Sequence, residues 1–298
     1  MNKQTKIAFL GGDGRQHTAA VKLIGGVWDI YEWGQDIAQE QEGIFLCDNI
    51  YEAISDATAV ILPLPSSVDG ITLNTPSVYV QNKIELASLA DAVPSNCIII
   101  GGKLVPSFCQ KVMTRGIKCF DYFDSEDFQI KNAYTTAEAA LSIAMDKLSK
   151  NIRDSKFAIT GYGRIAKQLS KLLTAFGADV TVCARKSSDL TWAQLEGCNT
   201  QRLEEGVLPE NLLCGYDVIF NTVPRRIFGE EFLERVDRKT LMIELASSPG
   251  GIDVSSARRL RSNVLWAASL PGKYAPESAG ALIAECVIAL LEGEVRGV

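Results

Sequence analysis

Gly161, Gly163 and Ala166 stand in a G-x-G-x-x-A pattern within TGYGRIA, residues 160–166. This spacing suits pyrophosphate binding. The first glycine permits a tight turn out of a strand, the second lets a phosphate approach the backbone, and the small third residue lets the next helix pack closely on the sheet. The free N–H groups at the start of that helix then face the phosphates. The flanking pattern supports this use over a purely structural glycine turn, because Phe157-Ala158-Ile159 reads as a buried strand and Val180–Ala184 as a second one. Between them Ile165, Leu169, Leu172, Leu173 and Phe176 recur at helical spacing, and Gly177 closes the helix. The cofactor-binding residues expected here are Gly161, Tyr162, Gly163, Arg164 and Ile165, with Asn221, Thr222, Val223 and Pro224 from a later strand end.

The end of the second strand bears on which dinucleotide binds. NAD-preferring sites place Asp or Glu there to hold the ribose 2′-hydroxyl. Here the position holds Arg185, followed by Lys186, Ser187 and Ser188. A guanidinium, an ammonium and hydroxyls suit a 2′-phosphate, which favours NADP, with NAD left open and a solvated basic turn as the bland alternative.

Other strand ends carry polar groups. In the first half these are Asp13-Gly14-Arg15, Ser66-Ser67, Lys103 and the acidic run Asp121 to Asp127, read as one wall of a substrate cleft or as ordinary loop chemistry. In the second half three stretches face the expected nicotinamide: Asn221–Arg226, Glu244–Gly251 and Ser269–Gly280. The last is dense in small, rigid residues. It reads as a fixed loop with backbone groups turned to a ligand, or as a cap for the final helix. The early turn GGDGRQ has the wrong spacing for a nucleotide loop, and Asp13 would repel phosphate.

The elements that must position these groups alternate. Strands are expected over 6–12, Val27–Trp33, Thr58–Leu64, Asn96–Ile100 and Ile117–Phe123, with helices over His17–Leu23, Ile84–Ala92 and Pro106–Arg115. This is an α/β layer domain with a parallel, flavodoxin-like sheet. A long helix is expected over Thr135–Lys150, with Thr135 or Thr136 as N-cap and Glu138 completing a capping box. After the glycine turn, strands over Asp217–Val223, Leu241–Ala246 and Val264–Leu270 complete a six-stranded Rossmann sheet, with short helices over Glu231–Val236 and Ser255–Leu260. A final helix, Glu277–Leu291, is expected to pack on the first domain. The expected boundaries are residues 1–133 for the substrate domain, completed by 277–298, and 134–276 for the Rossmann domain.

At 298 residues the chain has room for two domains. A net charge of −6 argues against a nucleic-acid partner, and no apolar run is long enough to span a membrane. The N-terminus enters a strand at once and has no signal-peptide core, so a cytoplasmic protein is expected. Eight cysteines have no C-x-x-C spacing; Cys97, Cys119, Cys183 and Cys286 lie in apolar contexts and read as reduced core residues, and with one histidine, His17, no metal site is expected.

The domain order resembles that of D-2-hydroxyacid dehydrogenases and S-adenosylhomocysteine hydrolases. The catalytic residues of the dehydrogenases are missing, however: Ala246-Ser247-Ser248 replaces their arginine turn, and Pro271-Gly272-Lys273 their Pro-His pair. The closer resemblance covers the whole chain. The motifs GGDGRQ (11–16), TGYGRIA (160–166), NTVP (221–224), ELASSPGGID (244–253) and SLPGKYAPESAG (269–280) together resemble the A subunits of bacterial dipicolinate synthases. That resemblance implies oxidation of dihydrodipicolinate to dipicolinate with a nicotinamide cofactor. It also implies partnership with a flavoprotein-like B subunit, a homo-oligomer, and the mother cell of a sporulating bacterium as location. Aromatising a dihydropyridine needs a hydride acceptor and loss of a proton, but no base to deprotonate an alcohol. Two carboxylates on the product call for cations and hydroxyls. The substrate-binding candidates are therefore Arg15, Ser66, Ser67, Lys103, Arg225 and Lys273. Catalytic candidates are His17, Lys103 and Lys273. A different class of function is a cofactor-binding regulatory or scaffold subunit whose chemistry needs a partner.

Overall fold

The computed structural model describes residues 5–35, 40–76, 83–204 and 214–296. The chain divides into two compact units, Met1–Asn132 with Ala275–Val298, and Ala133–Tyr274.

The first unit runs β1 (Thr5–Leu10), α1 (Gly14–Lys22), β2 (Trp28–Trp33), β3 (Ile44–Leu46), α2 (Ile50–Ile54), β4 (Ala59–Ile61), α3 (Leu86–Ala92), β5 (Ile98–Gly101), α4 (Pro106–Thr114) and β6 (Lys118–Asp121). All strand pairs are parallel, in the order β3-β2-β1-β4-β5-β6. Without β3 this is the five-stranded flavodoxin-like order; β3, unexpected from the sequence, adds one short edge strand. Central β1 is apolar without alternation because helices cover both faces, and Ile7 to Leu10 are wholly buried.

α1 starts three residues earlier than its periodicity suggested, because the Asp13 carboxylate caps it by accepting from Arg15 N–H. The last helix, α11 (Pro276–Arg296), packs on α1 within this unit. Gly280 makes the approach possible, since a Cβ there would lie 2.7 Å from the Arg15 carbonyl oxygen.

α5 (Glu126–Lys147) leads into the second unit. Thr135 and Thr136 are thus helix interior, which corrects the expected N-cap. The helix begins nine residues earlier, behind Ser125, whose Oγ accepts from Phe128 N–H. Its early part was hidden because Phe128 packs in one core and Ala137, Ala140 and Ala144 in another, so no single apolar stripe runs along it.

The second unit continues with β7 (Lys156–Thr160), α6 (Arg164–Ala175), β8 (Asp179–Ala184), α7 (Ser187–Leu195), β9 (Asn199–Arg202), β10 (Val218–Asn221), α8 (Glu230–Arg235), β11 (Leu241–Glu244), α9 (Val254–Leu260), β12 (Val264–Trp266) and α10 (Leu270–Tyr274). Its sheet order, β12-β11-β10-β7-β8-β9, is the doubly wound dinucleotide-binding order. Ala166, Leu169 and Leu173 of α6 are fully buried on the sheet, and Ala178 N–H and Gly177 N–H close the helix on the Leu173 and Thr174 carbonyls. Phe176 does not belong to that face. It is the C-cap residue and half exposed. The stretch 269–280, expected as a fixed loop, is largely helical, with only Ala275 between the end of α10 and the start of α11.

Candidate functional site

The glycine turn separates two different demands. Gly161 leaves β7 with φ +88°, its N–H donates to the Cys183 carbonyl at 2.8 Å, and an added Cβ would lie 2.6 Å from Thr222 Oγ1. The fold itself requires this glycine. Gly163 is the N-cap of α6, and a Cβ there would meet nothing within 4 Å. It therefore borders open space, where a pyrophosphate would sit. The N-cap Gly163 makes no side-chain hydrogen bond to α6, whose N-terminus is the kind of helix end that receives a phosphate. A groove of about 1040 Å³ runs from this turn past the ends of β8 and β10. That is the upper end of the range for ligand pockets and has room for a dinucleotide. Leu203, Pro224 and Phe232 supply apolar wall, while Tyr162 is mostly buried and donates from its hydroxyl to Glu196 at 2.6 Å.

Arg185 and Lys186 line the groove with no side-chain partner among the described residues. The parallel register sets Ala184 opposite Arg202 of β9, and Arg202 Nη1 donates to Ser187 Oγ at 3.2 Å. A third cation thus stands beside the two expected ones. It was missed because Asn199-Thr200-Gln201-Arg202 has no apolar residue to mark it as a strand. Asp189 and Glu204 also line the groove and moderate its charge.

Beneath the turn a buried polar chain joins three strand ends. Thr160 Oγ1 donates to Asn221 Oδ1 at 2.7 Å, and Asn221 Nδ2 donates to Glu244 Oε1 at 2.7 Å. The Glu244 carboxylate also accepts N–H donors from Ala246, Gly251 and Ile252 at 2.8–3.0 Å. Of the four residues 221–224, Asn221 is fully buried and its side chain supports the turn from within. Thr222, Val223 and Pro224 line the groove.

The first-unit candidates differ in availability. The Arg15 guanidinium is buried and forked on Asp13, at 2.8 Å through both Nε and Nη2, and Nη2 also donates to the Leu64 carbonyl. Ser66 Oγ donates to the Lys103 carbonyl, and Ser67 Oγ to the Thr72 carbonyl. The Asp121 carboxylate, in the run read as a cleft wall, instead holds the N–H groups of Lys103, Leu104 and Phe123. That turn presents Lys103, exposed, with Nζ 4.6 Å from the Phe123 ring centre. Arg225 and Lys273, in the second unit, are exposed. His17 has a partner that sequence reasoning missed, the buried Glu32, whose clue was an acid at an inward position of WDIYEW. The hydrogen bond to Glu32 raises the His17 pKa, and burial raises that of Glu32. Among the described residues, no group of His, Cys, Asp and Glu could hold a metal ion, and no helix is long and apolar enough to cross a membrane.

Residues 6–123 match the family described as the N-terminal domain of the dipicolinate synthase A subunit, and residues 128–249 match the NAD binding domain of D-isomer specific 2-hydroxyacid dehydrogenases. The dipicolinate synthase A subunit of Bacillus subtilis (strain 168) is 30% identical over 292 residues, 96% of this chain and 95% of the relative. The chain belongs to the family of dipicolinate synthase A subunits. The crystal structure of the dipicolinate synthase A chain from Bacillus subtilis is similar over 100% of this chain and 98% of its own, at 28% identity and TM-score 0.79. The A subunit from Bacillus halodurans dipicolinate synthase shares the fold with TM-score 0.82 at 24% identity, covering 98% and 99%. A transhydrogenase from Sinorhizobium meliloti shares it more distantly, with TM-score 0.65 at 15% identity over 94% of this chain and 89% of its own. The second unit is thus an NAD-binding domain, and this member of the dipicolinate synthase A family is an NAD(P)-dependent oxidoreductase.

Proposed function

We propose that the chain oxidises dihydrodipicolinate to dipicolinate, with NADP as cofactor, as the A subunit of a dipicolinate synthase that works with a flavoprotein-like B subunit. The carrying observation is an intact dinucleotide turn, open at Gly163, in a chain that matches a dipicolinate synthase A subunit along almost its whole length. When bound, the nicotinamide nucleotide would accept a hydride. The residues that would hold it are Gly161 to Ile165 at the pyrophosphate, Thr222 to Pro224 along the groove, and Arg185, Lys186 and Ser187 at the adenosine end. Arg185 and Lys186, without side-chain partners among the described residues, support NADP over NAD.

The exposed cations Lys103 and Lys273 are the substrate-binding candidates best supported by placement, because the charge of Arg15 is already met by Asp13, while Arg225 remains a candidate as an exposed residue lining the groove. Sporulation, the mother-cell cytoplasm and a homo-oligomer belong to the same reading. A second reading, a cofactor-binding regulatory or scaffold subunit, is favoured by the missing Arg and His of the hydroxyacid dehydrogenases. Purified protein supplied with freshly generated dihydrodipicolinate and NADP separates the two. Reduced nicotinamide formed without the B subunit supports the enzyme, and its absence supports the scaffold.

A further inference from the structure

Cys109 stands on α4 and Cys119 on β6, ten residues apart in the chain, and Cys119 Sγ donates to Cys109 Sγ at 3.0 Å. The fold makes this pair, because α4 packs on the edge strand β6 that follows it. Both cysteines are free and half-buried, so each keeps some access to solvent. Cys97 and Cys183 are different: they are buried, and burial raises their thiols to about 11 and about 12. Thiols of that kind stay protonated and inert. In the pair, the hydrogen bond from Cys119 lowers the Cys109 pKa, while the same bond and burial raise that of Cys119. Cys109 is thus the attacking thiol, and its resolving partner is already in contact with it.

We infer that Cys109 and Cys119 are a reversible thiol–disulfide exchange site, oxidised by small-molecule disulfides, that locks the turn presenting Lys103. The Cys109 thiolate attacks one sulfur of the small disulfide and expels the other half as a thiolate. Cys119 then loses its proton to water and attacks the Cys109 sulfur, expelling the second half. One S–S bond forms in the protein and one breaks in the oxidant. Two protein thiols are oxidised, and the small disulfide is reduced to two thiols.

The link to the turn is short. Asp121 lies two residues beyond Cys119 on β6, and its carboxylate accepts from Lys103 N–H at 3.1 Å and Leu104 N–H at 2.7 Å. Lys103 itself holds a left-handed backbone, φ +51°, and α4 starts just after, behind Val105. The turn is therefore fixed at one side by β6 and continues at the other into α4. A covalent bond from α4 to β6 closes this ring and restrains both of its sides. Neither thiol lines the dinucleotide groove, so cofactor binding should not depend on the bond.

The test is a redox titration of the full chain in mixtures of reduced and oxidised glutathione, quenched with acid, alkylated and read by peptide mass spectrometry. The expected result in the folded protein is a Cys109–Cys119 cross-link that dithiothreitol reverses. It should form at a glutathione ratio more reducing, by about tenfold or more, than the urea-unfolded chain requires. Cys119→Ser removes the resolving thiol and should trap a glutathione adduct on Cys109, whereas Cys109→Ser should leave Cys119 largely unmodified. Hydrogen exchange at Lys103 and Leu104 should slow in the oxidised protein. Two free, alkylated thiols at every ratio overturn the site, as does a cross-link that forms no more readily in the folded than in the unfolded chain. An adduct that accumulates on Cys119 and not on Cys109 overturns the assigned attack, and exchange unchanged by oxidation overturns the lock on the turn.

Discussion

Asn221 Nδ2 meets Glu244 Oε1 at 2.7 Å at the paired ends of β10 and β11, with Asn221 wholly and Glu244 almost wholly buried. Glu244 is thereby the acceptor that holds the strand ends together under the dinucleotide turn. Glu244→Ala would leave three backbone N–H groups without an acceptor and the Asn221 amide with the Val223 carbonyl alone. Each unmet buried donor costs about 1–3 kcal/mol, so a loss of about 3 kcal/mol or more is expected in urea unfolding. An unchanged unfolding midpoint would contradict the network.

The two glycines of the turn should fail differently. Gly161→Ala places a Cβ against Thr222 Oγ1 at φ +88° and should lower Tm. Gly163→Val points into open space, so the fold should persist while NADP binding is lost. Circular dichroism and calorimetry read the two effects. A folded Gly163→Val that binds NADP normally would move the site elsewhere.

Cofactor choice should follow the cations beside α7. Arg185→Asp and Arg202→Ala should each weaken NADP relative to NAD, by about one to two decades if a charge-assisted contact of about 1.5–3 kcal/mol is lost. Calorimetry with both cofactors is the check. An unchanged preference in both variants would remove the 2′-phosphate assignment.

The sequence made the Rossmann half legible because its central strands are apolar runs and its turn chemistry is local. It hid what depends on contacts far along the chain. Edge strand β9 is polar because half its surface faces water. Helix α5 changes its buried face partway, so its first nine residues carried no stripe. Arg15 reads as an available cation, and only the fold shows Asp13 and Leu64 around it. Glu32 reads as one charge in an aromatic strand until α1 brings His17 to it.

Arg15 and Lys103 should part company on substitution. Arg15→Ala strands a partly buried Asp13 and should reduce stability. Lys103→Ala should leave stability near wild type, keep NADP affinity, and raise the KM for dihydrodipicolinate by about one to two decades. A Lys103→Ala enzyme with wild-type KM would exclude that lysine from the substrate.

The most direct test of the central claim is a stoichiometric turnover measurement on the purified chain without a B partner. Freshly generated dihydrodipicolinate and NADP are mixed with the protein, and reduced nicotinamide and dipicolinate are quantified together. One dipicolinate per reduced NADP, abolished by Gly163→Val, is the predicted result. Dipicolinate formed without reduced nicotinamide, or nicotinamide reduction that Gly163→Val leaves intact, would contradict it.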